Sequence, residues 1–158
     1  GWLGLATLLA TISTIGDILD GQVARMTKTG SAKGELLDAA IDRYTEFAFI
    51  AGICFLVRAT AWELGLALAA LLASFMVSYA SAKAEAMQVE APRGLMRRHE
   101  RATYLIAGAG FSGLLGGWMH ARWGVPPITL LLFGTGMVAV VGNVAAAWRL
   151  VRIGRALR

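Results

Sequence analysis

The chain has 158 residues, 57% of them hydrophobic and 16% charged, with a mean hydropathy of +0.61. Soluble domains are only about 45–50% apolar, so a disordered chain, a fibrous repeat and most soluble enzymes are excluded. One cysteine and two histidines exclude an intrachain disulfide, a cysteine-rich zinc site and a three-histidine centre, and a net charge of +5 on so apolar a chain points to anionic lipid or phosphate rather than nucleic acid.

Five stretches approach the roughly 20 apolar residues that a membrane-crossing helix needs. The first runs from about Trp2 to Arg25 and carries no charge before Asp17. The second, about Gly34 to Val57, carries Asp38, Asp42, Arg43 and Glu46. The third is about Trp62 to Met87, the fourth about Arg101 to Ala121, and the fifth, wholly uncharged, about Val125 to Trp148. Their length and their Ala and Leu content predict helices, since a lipid-exposed backbone must satisfy its own hydrogen bonds. The expected fold is therefore an all-α, polytopic helical membrane bundle forming one domain over residues 1–158.

The connections are short. Pro92 and Gly94 interrupt the one between the third and fourth stretches, and Pro126 and Pro127 are expected in the first turn of the last helix, where proline is tolerated. Alternate loops should share a side of the membrane. One side collects twelve basic residues, including Lys83, Arg97, Arg98, Arg101 and Arg149, and the other only Arg58 and Arg122. The positive-inside rule then puts the basic loops and the C-terminus in the cytoplasm. Trp2, Trp62, Trp123 and Trp148 fall near span ends, as an interfacial belt predicts. Ala109, Gly113 and Gly117 form a small-residue ridge suited to close packing, within the bundle or across a dimer.

All four aspartates of the chain, Asp17, Asp20, Asp38 and Asp42, lie near the cytoplasmic ends of the first two stretches. Each pair, spaced i, i+3 or i, i+4, projects from one helix face. An eight-residue loop makes the two helices antiparallel neighbours, so the four carboxylates converge. One buried charge costs at least ~2.5 kcal/mol in a membrane helix, and four acids together repel unless cations neutralise them. Arg25, Lys28, Lys33 and Arg43 are possible partners. Four hard oxygen ligands on two matched faces favour two Mg²⁺ or Mn²⁺ ions instead. The acid face continues as Gly21, Ala24 and Arg25, and Gly34 precedes Asp38 by one turn. Small residues let a flat group approach the backbone, and an arginine beyond them can clamp a phosphate.

Written out, Asp17-x2-Asp20-Gly21-x2-Ala24-Arg25-x8-Gly34-x3-Asp38-x3-Asp42 resembles the signature of the CDP-alcohol phosphatidyltransferase family at all eight defining positions. That resemblance implies transfer of a phosphatidyl group from a CDP-linked lipid, such as CDP-diacylglycerol, to a polar alcohol acceptor, with release of CMP. It implies a two-metal site on Asp17, Asp20, Asp38 and Asp42, with Asp42 also the general base, and a CDP pocket of Gly21, Ala24, Arg25 and Gly34. It implies six membrane helices where five are expected here, the missing one being the first, and it implies a homodimer. An integral protein of a bacterial or archaeal inner membrane follows, its active site facing the cytoplasm.

Ser78-Tyr79-x-Ser81-x-Lys83-x-Glu85 and Arg97-Arg98-x-x-Arg101 are similar to elements of the branch of the family whose acceptor is inositol phosphate. That similarity makes Lys83, Arg98, Arg101 and Arg149 the acceptor-phosphate candidates, although a lysine common in that branch is Ser81 here. Glycerol 3-phosphate is the next acceptor. Two other classes compete. An intramembrane prenyltransferase also uses aspartate pairs but is larger. A divalent-cation carrier would need acids on a path to both faces.

Overall fold

The computed structural model describes residues 31–90 and 94–157. The described residues form four helices: α1 (Ala32–Val57), α2 (Ala61–Ala86), α3 (Arg98–Trp123) and α4 (Thr129–Ala156). Each start and stop has a local cause. Ser31 caps α1, its hydroxyl accepting from the Gly34 amide at 3.1 Å. At the start of α3, the Arg97 amide donates to the Glu100 carboxylate at 3.1 Å. Gly124, at φ 69°, ends α3 in the left-handed region that favours glycine.

Three of the helices have 26 residues and α4 has 28. At 1.5 Å per residue each is about 40 Å long, enough to cross a bilayer core. Only α2 and α4 are apolar enough to read as spans on composition alone, at mean hydropathies of 1.8 and 1.9. The expectation of five such stretches is thus corrected among the described residues. α1 carries four charged residues within nine positions, and α3 is diluted by glycine and begins on a charged turn. The first expected stretch lies outside the described residues. The last helix begins later and ends later than expected. Pro126 and Pro127 precede it in a turn closed by the Thr129 amide on the Pro126 carbonyl at 3.1 Å, and α4 continues to Ala156.

α4 is the central element. It packs along both α2 and α3, while α1 lies against α2. The core joins Ile50 and Ile53 of α1, Ala67 and Ala70 of α2, Leu105 and Ala109 of α3, and Leu131 and Val138 of α4. Small residues permit the close approaches. A Cβ at Gly134 would run into the Tyr104 carbonyl, and one at Gly116 into the Pro127 carbonyl. One on Gly142 would lie 2.8 Å from Ala73 Cβ. The face of α3 that packs on α4 is therefore Gly108, Ser112 and Gly116, one residue out of register with the expected ridge. Ala109 is buried, but Gly113 is exposed and Gly117 faces open space. Polar groups pin the same seams. Ser112 Oγ accepts from the Leu131 amide at 2.8 Å, and Asn143 Nδ2 donates to the Ala69 carbonyl of α2 at 2.9 Å. Large apolar side chains, among them Phe55, Leu114 and Phe133, point outward, the arrangement of a bundle whose solvent is lipid.

Candidate active site

The N-terminal ends of α1 and α3 and the C-terminal ends of α2 and α4 gather at one end of the bundle. Between them opens a cavity of about 560 Å³. Its wall contains five arginines, Arg43, Arg97, Arg98, Arg101 and Arg149, together with Asp42. Each guanidinium group in so apolar a bundle must find a carboxylate, a carbonyl or a ligand oxygen.

Asp42 is buried, at 8% exposure, and its carboxylate pairs with Arg98 of α3. Asp38 lies one turn earlier on the same face and is exposed. Gly34 lies one turn earlier again, beside Ser31, whose hydroxyl would sit 3.2 Å from an added Cβ. Asp17, Asp20, Gly21, Ala24 and Arg25 lie outside the described residues. Among the described residues no group of three or more His, Cys, Asp or Glu side chains converges as a metal site. Asp38 and Asp42 contribute two hard oxygen donors in register on one face, which suits Mg²⁺ or Mn²⁺ and leaves the remaining ligands to another element.

Arg149 stands in the same wall. It is only 6% exposed. Its Nη1 donates to Ser81 Oγ at 3.0 Å, and its Nη2 donates to the carbonyls of Leu95 at 3.0 Å and Gly94 at 3.3 Å. Its Nε is buried without a partner. A buried charged donor left unsatisfied is costly. Gly94 leaves room for this grip. A Cβ there would meet the Trp148 ring at 3.1 Å and Arg149 Nε at 3.3 Å.

Arg101 is the largest fully buried side chain among the described residues, at 1% exposure. It forks onto Glu46, with Nε 2.7 Å from Oε1 and Nη2 3.1 Å from Oε2, and its Nη1 donates to the Met96 carbonyl at 2.8 Å. Glu46 also lies 3.6 Å from Arg43, which donates to Ser78 Oγ. Lys83, by contrast, is exposed and outside the cavity wall. Of the four acceptor-phosphate candidates, the structure brings together Arg98, Arg101 and Arg149 and leaves Lys83 apart. The sequence pattern assigned no site role to Glu46 or to the backbone carbonyls of Gly94 and Leu95, and offered Arg43 only as a possible partner of the aspartates. Glu46 was visible as an acid one turn beyond Asp42 in an apolar stretch; the carbonyls carry no sequence signal.

The family model for CDP-alcohol phosphatidyltransferases matches residues 1–151. The phosphatidylinositol phosphate synthase of Cutibacterium acnes is 28% identical over 160 residues, an alignment that covers 99% of this chain and 75% of that protein. The protein of the same name from Mycobacteroides abscessus is 35% identical over 145 residues, covering 88% of this chain and 64% of the relative. The archaetidylinositol phosphate synthase of Methanothermobacter thermautotrophicus is 31% identical and covers 91% and 69%. Among solved structures, the Mycobacterium tuberculosis phosphatidylinositol phosphate synthase in complex with manganese and citrate superposes with a TM-score of 0.80 at 26% identity, covering 96% of this chain and 70% of that one. Its apo form gives 0.76 at 28% identity, covering 98% and 77%.

Proposed function

The chain belongs to the CDP-alcohol phosphatidyltransferase family, and from that premise we propose that its arginine-walled cavity receives a phosphorylated polyol, inositol phosphate, as acceptor. The enzyme class is that of the family: an integral membrane phosphotransferase of phospholipid synthesis that moves a substituted phosphate from a CDP-linked lipid to an alcohol and releases CMP. A prenyltransferase and a cation carrier are set aside by that membership.

The observation that carries the acceptor reading is Arg149, a buried guanidinium fixed by three hydrogen bonds in the same cavity wall as Arg98 and Asp42. An acceptor whose phosphate meets Arg149 and Arg98 presents its ring hydroxyl toward Asp42. Asp42 takes the hydroxyl proton. The oxygen attacks the lipid-bearing phosphorus of the CDP-lipid, a new P–O bond forms, the pyrophosphate P–O bond breaks, and CMP departs with the electron pair. A base within hydrogen-bond reach contributes about 10²–10⁴-fold to such a step. Asp38 and Asp42, with Asp17 and Asp20, would hold Mg²⁺ or Mn²⁺. When bound, these ions neutralise charge on the phosphoryl oxygens and on the leaving CMP. The manganese in the mycobacterial structure supports this choice of ion. Gly34, Gly21, Ala24 and Arg25 are proposed to form the CDP pocket, with the acyl chains remaining in lipid.

The excess of basic residues at this end of the bundle supports a site on the cytoplasmic face of the inner membrane. The open Gly113–Gly117 face of α3 is compatible with a homodimer seam. The test is an acceptor panel with CDP-diacylglycerol, reading CMP release. Inositol phosphate should support the fastest turnover, glycerol 3-phosphate less, and unphosphorylated inositol least. Equal turnover with inositol and its phosphate would remove the acceptor reading.

A further inference from the structure

α1 and α3 form opposite walls of the cavity, yet they do not pack along each other: α1 rests on α2, and α3 rests on α4. What joins them at this end is a ladder of two ion pairs. Asp42 of α1 meets Arg98 of α3, and one turn deeper Glu46 meets Arg101. The second rung is the more enclosed, with side-chain exposures of 13% and 1%. It is also bidentate, which fixes orientation as well as distance.

Arg101 reaches further than its own helix. Its Nη1 holds the carbonyl of Met96, a buried residue at φ 61° that turns the chain from the 94–96 segment toward α3. The carbonyls of Gly94 and Leu95, immediately before it, are the ones that grip Arg149. Arg98 lies one turn before Arg101 on α3. Both arginines of the acceptor site are therefore placed through Arg101, Arg98 along the helix and Arg149 across the loop. With its Nε and Nη2 on Glu46 and its Nη1 on Met96, Arg101 is held in one orientation within the cavity wall.

We propose that Glu46 is a positioning residue of the acceptor pocket: by gripping Arg101 it sets the span between α1 and α3 and so the placement of Arg98 and Arg149. This rests on the acceptor reading given above. In the full-length protein, Glu46→Gln keeps the shape and one acceptor oxygen but removes the charge. It should raise the acceptor KM by about tenfold, the scale of one charged hydrogen bond. The KM for the CDP-lipid should not move and kcat should change by less than about threefold. Arg101→Gln should do the same, and the double variant should be no worse than the worse single one, since both remove one contact. Multiplying effects, or equal shifts in both KM values, would overturn the proposal.

A second measurement separates its failure from that of the acceptor reading. Spin labels at Tyr44→Cys and Thr103→Cys, in a Cys54→Ser background, report the α1–α3 distance. Glu46→Gln should broaden that distribution. An unchanged distribution refutes the strut whatever the kinetics. A broadened one with an unmoved acceptor KM upholds the strut and refutes the acceptor site. Should Glu46→Gln fail to give a monodisperse protein, Arg101→Lys keeps the charge but not the fork and should give the same broadening; a wild-type distribution there refutes the strut equally.

Discussion

Replacing Arg149 by lysine keeps the charge and most of the volume, so it isolates what the guanidinium shape contributes. Arg149 uses Nη1 and Nη2 on Ser81 Oγ and on the carbonyls of Gly94 and Leu95. A lysine ammonium has three donors on one atom. It can replace the carbonyl contacts or reach the ligand, but it cannot do both from a point 6% exposed and fixed by packing. The expected loss is one charge-assisted hydrogen bond to phosphate, about 1.5–3 kcal/mol, or roughly 10–150-fold in kcat/KM for the phosphorylated acceptor. The assay is CMP release at saturating CDP-diacylglycerol with inositol phosphate varied, repeated with CDP-diacylglycerol varied. The first titration should weaken and the second should not. A change of less than about threefold in the first would show that the Arg149 guanidinium does not hold the acceptor.

Asp42→Asn should lower turnover by at least about 10²-fold, because an amide cannot accept the acceptor's proton; near-wild-type CMP release would remove it as the base. Stripping divalent cations with a chelator should abolish activity and added Mn²⁺ or Mg²⁺ should restore it, whereas full turnover in the stripped enzyme would exclude the metal site. Lys83→Ala should leave both KM values unchanged, since that side chain is exposed and outside the cavity; a rise in the acceptor KM would return it to the site. Gly134→Val must push a side chain into the Tyr104 carbonyl, an overpacking cost of about 1–3 kcal/mol that should appear as a lower unfolding temperature in detergent; an unchanged temperature would mean that α3 and α4 separate freely.

Much of this protein was legible without coordinates. Apolar stretches of helical length are read one residue at a time, because a bilayer imposes its constraint locally on each segment. The aspartate pairs and their glycine and arginine companions are legible for the same reason, since i, i+3 and i, i+4 spacing is a property of one helix. What a single segment cannot encode is which of its faces meets which neighbour. The small residues of α3 offer two adjacent ridges, and contact with Leu130, Leu131 and Pro127 selects Gly108, Ser112 and Gly116 over Ala109, Gly113 and Gly117. The basic residues of the site are alike in charge, and only packing distinguishes Lys83 in solvent from Arg149 in the wall and from Arg101, paired with Glu46 in that same wall. Charge is a local property that composition reports. Whether a charge remains available to a ligand depends on partners 55 residues away, as with Arg101 and Glu46, and those are brought together only when the helices assemble.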